Sequence, residues 1–208
     1  MEEEEDDYWK EDIKLILIGD IGVGKTNLIK VESGKEFNEE QLGPLQAAYE
    51  KKDFNINGEK YTLFLWDPIG HERLGTLPKL FFKNSKIVIY VYDITNKTSF
   101  ENLSSWDVEV KNAIGDDIIK GIVGNKQDLY VEEEVNEEEL KDFATSLNAK
   151  FTNTSAKNDP KGFSKFLEEL LKDYIDLYNS KKEKNVENIK INSKKVKKDD
   201  KNKKKAHC

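Results

Sequence analysis

Between Gly19 and Thr26 the chain reads GDIGVGKT, a spacing of glycines, lysine and hydroxyl that suits the gripping of a polyphosphate. Gly22 and Gly24 let the backbone curl until successive N–H groups point inward at anionic oxygens. Lys25 then reaches the outer phosphates, and the Thr26 hydroxyl becomes a ligand for Mg²⁺. Three shorter clusters follow. In Asp67-Pro68-Ile69-Gly70 the carboxylate can hold a water on the metal and the Gly70 N–H can meet a terminal phosphate. In Asn125-Lys126-Gln127-Asp128 the Asp128 carboxylate can accept both N–H donors along the edge of a guanine, a pair that adenine does not present. Thr154-Ser155-Ala156-Lys157 can offer a backbone N–H to the base carbonyl. Each of the three is short, and alone would be a weak signal in a chain this rich in Asn and Lys.

Their placement adds what their length lacks. Ile13 to Gly19 is a short, almost continuous apolar run that stops at the glycine-rich loop and predicts a buried strand, with a helix from Thr26 to Glu32 after it. Asp53 to Asn57 and Glu59 to Asp67 flank Asn57-Gly58, and the second arm alternates, which predicts a β-hairpin. Ile87 to Tyr92, Ile118 to Val123 and Lys150 to Thr152 predict three more strands. Helical patterns cover Ser99 to Asn112, Glu137 to Leu147 and Gly162 to Tyr178. The third of these four helices opens with Asn136 before Glu137, Glu138 and Glu139, a capping side chain followed by carboxylates at the positive end of the helix dipole. Alternation of strand and helix with one hairpin predicts an α/β fold: a doubly wound, mostly parallel six-stranded sheet with one antiparallel strand and helices on both faces. All four clusters then fall, in order, at the carboxyl ends of predicted strands, where open α/β sheets hold their ligands.

Charge separates the ends from the middle. From Ser180 to Cys208 twelve lysines face four carboxylates, a net of +8, which leaves −15 on the rest of a chain whose total is −7. A body of that sign lacks the basic face that nucleic acid requires, so no nucleic-acid partner is expected. The expected organisation is an acidic flexible arm over residues 1–11, a nucleotide-binding domain over 12–179, and a Lys-rich flexible tail over 180–208 ending in Cys208. No apolar stretch approaches a membrane span, and the acidic N-terminus is unlike a signal peptide, so a cytoplasmic protein is expected. Its one cysteine, Cys208, leaves no pair for an internal disulfide.

The four motifs together resemble those of Ras-superfamily small GTPases. Two stretches point to the Rab branch: WDPIGHERL (Trp66 to Leu74) is similar to that branch's WDTAGQERF/Y segment, and VYDITNKTSFENLSSW (Val91 to Trp106) to its VYDIT..SF.N...W run. The resemblance covers about Lys14 to Tyr178. It implies GTP and GDP as ligands, held by Gly22, Val23, Gly24, Lys25, Thr26, Asn27, Gly70, Asn125, Lys126, Asp128, Ser155, Ala156 and Lys157. It also implies Phe37 packed against the base and Mg²⁺ held by Thr26 and Asp67. Effector and regulator proteins would dock on a switch surface around residues 38–50 and 68–82. Activity would lie in vesicular traffic on the cytosolic face of endomembranes.

The chain departs from that pattern where hydrolysis and switching are served. The family's switch-one threonine falls on Pro44, which has neither a hydroxyl for Mg²⁺ nor an N–H for the γ-phosphate. The water-positioning glutamine falls on His71, a shorter side chain with one donor and one acceptor, which can act as a base instead. Ile21 is bulky where the family keeps a small residue. These changes predict very slow GTP hydrolysis, with a non-cycling nucleotide-binding scaffold as the alternative. At the C-terminus a prenyl group on Cys208 and the adjoining lysines would together hold an anionic membrane surface; the alternative is an unmodified thiol, since the ending is neither CaaX nor a double cysteine.

Overall fold

Asp12–Ile18 forms strand β1, buried almost throughout from Ile13 onward. Helices lie on both of its faces, so its sequence reads as an apolar run rather than as an alternation. A computed structural model describes residues 12–38, 48–68, 77–159 and 161–181. After β1 come α1 (Lys25–Glu32), β2 (Ala48–Ile56), β3 (Glu59–Asp67), α2 (Lys79–Phe82) and β4 (Ile87–Asp93). Then follow α3 (Lys97–Glu101), α4 (Leu103–Ile114), β5 (Ile119–Asn125), a 3₁₀ segment (Gln127–Glu132), α5 (Glu137–Leu147) and β6 (Lys150–Asn153). The chain divides into two compact units, one up to Leu171 and one from Lys172. Helix α6, residues 161–171, ends the first unit. In the second, residues 172–181 are helical and the rings of Tyr174 and Tyr178 stack with centroids 6.4 Å apart.

The six strands lie in the order β2-β3-β1-β4-β5-β6. β2 runs antiparallel to β3, and every other pairing is parallel. This is the sheet expected from the sequence. On one face Ile16, Ile18, Val88, Tyr90, Tyr92 and Ile122 pack with Trp106 and Val110 of α4 and with Leu140 and Ala144 of α5. On the other, α6 approaches so closely that a Cβ on Gly121 would lie 2.7 Å from Leu170 Cδ1 and 2.9 Å from Phe166 Cε1. The glycine in β5 is therefore a docking position for α6. α1 shares that face, where the Ser164 hydroxyl donates to the Glu32 carboxylate at 3.0 Å.

Three local details differ from the sequence expectation. β2 begins at Ala48, five residues before Asp53, because β3 supplies a paired residue all the way from Glu59↔Ile56 to Asp67↔Ala48. The charges of Glu50, Lys51, Lys52 and Asp53 hide that strand from an apolar pattern, and they are what an edge strand carries. The helix expected over Ser99 to Asn112 is two helices, interrupted at Asn102, whose side chain is drawn toward Asp20 rather than along the helix. The short helix α2 is the third. The predicted cap of α5 is present as a full capping box: Asn136 Oδ1 accepts from the Glu139 N–H at 2.8 Å, and Glu139 Oε2 accepts from the Asn136 N–H at 3.3 Å.

Candidate functional site

Where β1 ends, the chain turns through Gly22 (φ 83°) and Gly24 (φ 96°) into α1. Gly24 is the N-cap and carries no side chain to satisfy the first N–H groups of the helix, which leaves them for an anion. The Lys25 ammonium is buried and folded back over the loop, donating to the carbonyls of Gly19 at 2.9 Å and Asp20 at 2.8 Å. Thr26 is half-buried in the first turn of α1. Asp67, the last residue of β3, is 3% exposed. A hydroxyl and a carboxylate are hard oxygen donors suited to Mg²⁺, which completes its shell with phosphate oxygens and water. Consistent with so sparse a donor set, no group of three or more His, Cys, Asp or Glu among the described residues can hold a metal ion by itself.

A single amide joins three of the four loops. Asn125 is 2% exposed; its Nδ2 donates to the Val23 carbonyl at 2.8 Å, and its Oδ1 accepts from the Ala156 N–H at 3.2 Å. A Cβ on Gly24 would lie 2.2 Å from that Nδ2, so glycine at 24 serves both the turn and the approach of Asn125. The Ser155 hydroxyl donates to Asp128 Oδ1 and accepts from the N–H groups of Lys157 at 3.1 Å and Asn158 at 3.0 Å. Ser155 thereby fixes the Asp128 carboxylate while the remaining lone pairs of that carboxylate stay available to a ligand. Thr154 accepts from the Gln127 N–H at 3.0 Å, and its own N–H donates to Gly124 at 2.8 Å, which locks the two base-side loops to each other.

Between these loops lies a cleft of about 240 Å³ lined by Gly22, Gly24, Asn27, Phe37, Asn125, Lys126, Asp128, Leu129, Ala156 and Lys157. The Lys157 ammonium is 6.0 Å from the centre of the Phe37 ring. Asn27 donates to the Asn38 carbonyl at 3.0 Å, while its buried Oδ1 accepts no hydrogen bond among the described residues. An open cradle of glycines, an oriented carboxylate and a flat apolar ring fit a purine nucleotide carrying guanine. A larger hollow, about 710 Å³, lies between the end of α1 and the β2–β3 hairpin. Four of its charged side chains pair with one another, Lys52 with Glu32 at 2.9 Å and Lys60 with Asp53 at 2.9 Å.

The structure thus brings together the sequence-expected Gly22, Val23, Gly24, Lys25, Asn27, Phe37, Asn125, Lys126, Asp128, Ser155, Ala156 and Lys157. Thr26 lies in the first turn of α1, after the loop that follows β1, and Asp67 ends β3, the strand paired with β1. Gly70, His71, Pro44 and Cys208 lie outside the described residues, as does most of the expected switch surface. Ile21 stands in the phosphate loop 57% exposed. Two carboxylates escaped the motif reading. Asp20, in the phosphate loop, accepts from Asn102 Nδ2 at 2.7 Å and from Trp106 Nε1 at 2.9 Å. Asp93, at the end of β4, sits 2.5 Å from Lys126 Nζ. Neither had a local signal in the sequence, since Asp20 meets its donors 82 and 86 residues along the chain.

Comparison with known proteins agrees with this geometry. The model of the Ras family matches residues 14–176. Ras-related protein Rab-21 of Bos taurus is 37% identical over 163 residues, covering 78% of this chain and 73% of its own. Ras-related protein Rab-21 of Homo sapiens is 37% identical over 163 residues, covering 78% and 72%. Ras-related protein Rab-11C of Dictyostelium discoideum is 35% identical over 181 residues, covering 87% and 79%.

Proposed function

The chain belongs to the Ras family, on its Rab branch, and from that premise we propose that it binds GTP and GDP with Mg²⁺ and serves membrane traffic with very slow GTP hydrolysis. The observation that carries the nucleotide reading is the Asn125 amide, which holds the phosphate loop through Val23 and the base loop through Ala156 in one arrangement. Asp128, half-buried and oriented by Ser155, selects guanine: an adenine would leave the carboxylate facing an acceptor. Calorimetry with GDP and ADP tests this, and comparable affinity for the two would overturn it.

Slow turnover rests on Pro44, His71 and Ile21. Losing one preorganised donor costs about 3 to 4 kcal/mol of barrier, and an arginine supplied by an activating partner contributes about 4 to 7 kcal/mol. Ile21, exposed in the phosphate loop, would crowd the space that such an arginine enters. Single-turnover conversion of bound GTP at the rate of an ordinary Rab would refute slow hydrolysis, and the paired changes Pro44→Thr and His71→Gln should restore it. The same three residues favour a second reading, a scaffold that keeps its nucleotide without cycling. Equal calorimetric affinity for GTP and GDP, with Mg²⁺ present, distinguishes it, because equal affinities shift no conformational equilibrium.

Effectors and regulators would meet the surface around 38–50 and 68–82. Tyr49, 48% exposed, stacks there on Trp66 with ring centres 5.2 Å apart and touches Phe64 at 5.5 Å, an aromatic strip suited to a partner. No described helix is long and apolar enough to cross a membrane, so attachment would come from the lysine tail and a prenyl group on Cys208. Each lysine near an anionic leaflet adds about 1 kcal/mol. Mass spectrometry of Cys208 from native cells decides it; an unmodified mass removes the anchor.

A further inference from the structure

The run from Val91 to Trp106 touches both ends of the nucleotide cleft, although none of its residues lines that cleft. We infer that it is a brace, with Asp93 the positioning residue for the base side through Lys126, and Asn102 with Trp106 the positioning residues for the phosphate side through Asp20. The inference rests on the guanine-nucleotide reading above.

On the base side, Asp93 is 8% exposed, and its Oδ1 accepts from the Thr95 N–H at 3.0 Å and the Thr95 hydroxyl at 2.8 Å. These two bonds fix the carboxylate and leave Oδ2 at 2.5 Å from Lys126 Nζ. Lys126 has a left-handed backbone (φ 67°) and lines the cleft with Phe37 and Asp128. With its head pinned by Asp93, the apolar stem of Lys126 becomes a fixed wall of the cleft instead of a freely rotating chain. The pairing also keeps the ammonium from being drawn onto Asp128, whose oxygens are needed by the base.

On the phosphate side the problem is opposite in sign. Asp20 puts a carboxylate on a loop built to receive anions, and like charges repel. Asn102 and Trp106, one helical turn apart, each donate to one of its oxygens at 2.7 and 2.9 Å. The indole is 4% exposed, so the donor side of this bond is buried. Because Lys25 also grips the Asp20 carbonyl at 2.8 Å, backbone and side chain of this residue are held at once. A run of hydrogen bonds joins the two anchors: the Ser99 hydroxyl accepts from the Asp93 N–H at 3.1 Å, the Asn102 N–H donates to the Thr98 carbonyl at 3.0 Å, and the Trp106 N–H donates to the Asn102 carbonyl at 3.2 Å.

The test is displacement of a fluorescent GDP analogue from the full chain by GDP and by inorganic pyrophosphate, which has no base. Asp93→Asn keeps an acceptor for Thr95 and removes the ion pair; it should weaken GDP about tenfold, the low end for a charge-assisted contact, and leave pyrophosphate unchanged. Lys126→Met removes the same pair from the other partner. It should give the same split, and the double variant should lose no more than either single one. Trp106→Phe should weaken GDP and pyrophosphate by one common factor. The inference is overturned if Asp93→Asn and Lys126→Met weaken both ligands equally or neither, or if Trp106→Phe spares pyrophosphate. An unaltered chain that takes up no GDP would remove the guanine reading and the inference together, whereas normal GDP uptake by every variant would remove the inference alone.

Discussion

β5 carries a buried polar cluster at each of its ends, and the two are built for different purposes. At its start Lys120 is 4% exposed and pairs with Asp107 at 3.0 Å and with Asp116. Asp107 also accepts from the Tyr90 hydroxyl at 2.7 Å and pairs with Lys111 at 2.8 Å. At its other end Asn125 is as deeply buried but uncharged, and it spends its bonds on the backbones of two loops. The first cluster closes on itself: every charge meets another charge of the protein. The second leaves Asp128 and the phosphate-loop N–H groups directed into a cleft. Burial of polar groups marks a structural knot in one place and a binding site in the other; what separates them is where the unspent hydrogen-bonding capacity points.

Several substitutions would break or sharpen this contrast. Removing the Asp128 carboxylate by Asp128→Ala should cost about 3 to 6 kcal/mol of GDP affinity, two charge-assisted bonds' worth, with little change in melting temperature; calorimetry and thermal denaturation together check this. At the other end, Asp107→Ala takes one of two carboxylates from the buried Lys120 and the acceptor from the Tyr90 hydroxyl, and should destabilise the fold by about 1 to 3 kcal/mol in urea titrations, while GDP affinity of the folded fraction stays the same. If Asp107→Ala instead impaired binding with stability intact, the division between the ends of β5 would be wrong.

Acid should find the closed cluster too. Burial acts to raise the Asp107 pKa, but hydrogen bonds from Lys111, Tyr90 and Lys120 outweigh it and hold the group below its ordinary 3.8. A carboxyl depressed by folding stabilises the protein fully above that ordinary value, and the contribution is lost as pH falls through the lower folded value. Acid unfolding monitored by circular dichroism should therefore steepen below about pH 4, and Asp107→Asn should flatten that part of the curve. The smallest effect is expected from Asn136→Ala, which removes the α5 capping box far from either cluster and should cost about 1 kcal/mol of stability and no affinity.

Much of the fold and the core of the site were legible because their signals are local. A glycine loop between strand and helix, Asn57-Gly58 between alternating arms, and Asn136 before three glutamates each declare themselves within a few residues. Convergence of the Asn125 and Ser155 loops followed from their common position at strand ends. What could not be read was long-range pairing of single charges. Asp20 meets its donors 82 and 86 residues away, and nothing in GDIGVGKT indicates whether that carboxylate faces solvent, phosphate or another helix. The early start of β2 was hidden for a related reason: as the sheet's edge it is charged, and only its register with β3 reveals it.

The indole of Trp106 has one more consequence. Its N–H is bonded to the loop that would close on the phosphates, and in a chain with three tryptophans it is nearly dark to solvent. Ultraviolet emission from this ring should therefore shift when the loop loosens, giving the protein an intrinsic optical gauge of nucleotide departure that needs no attached dye.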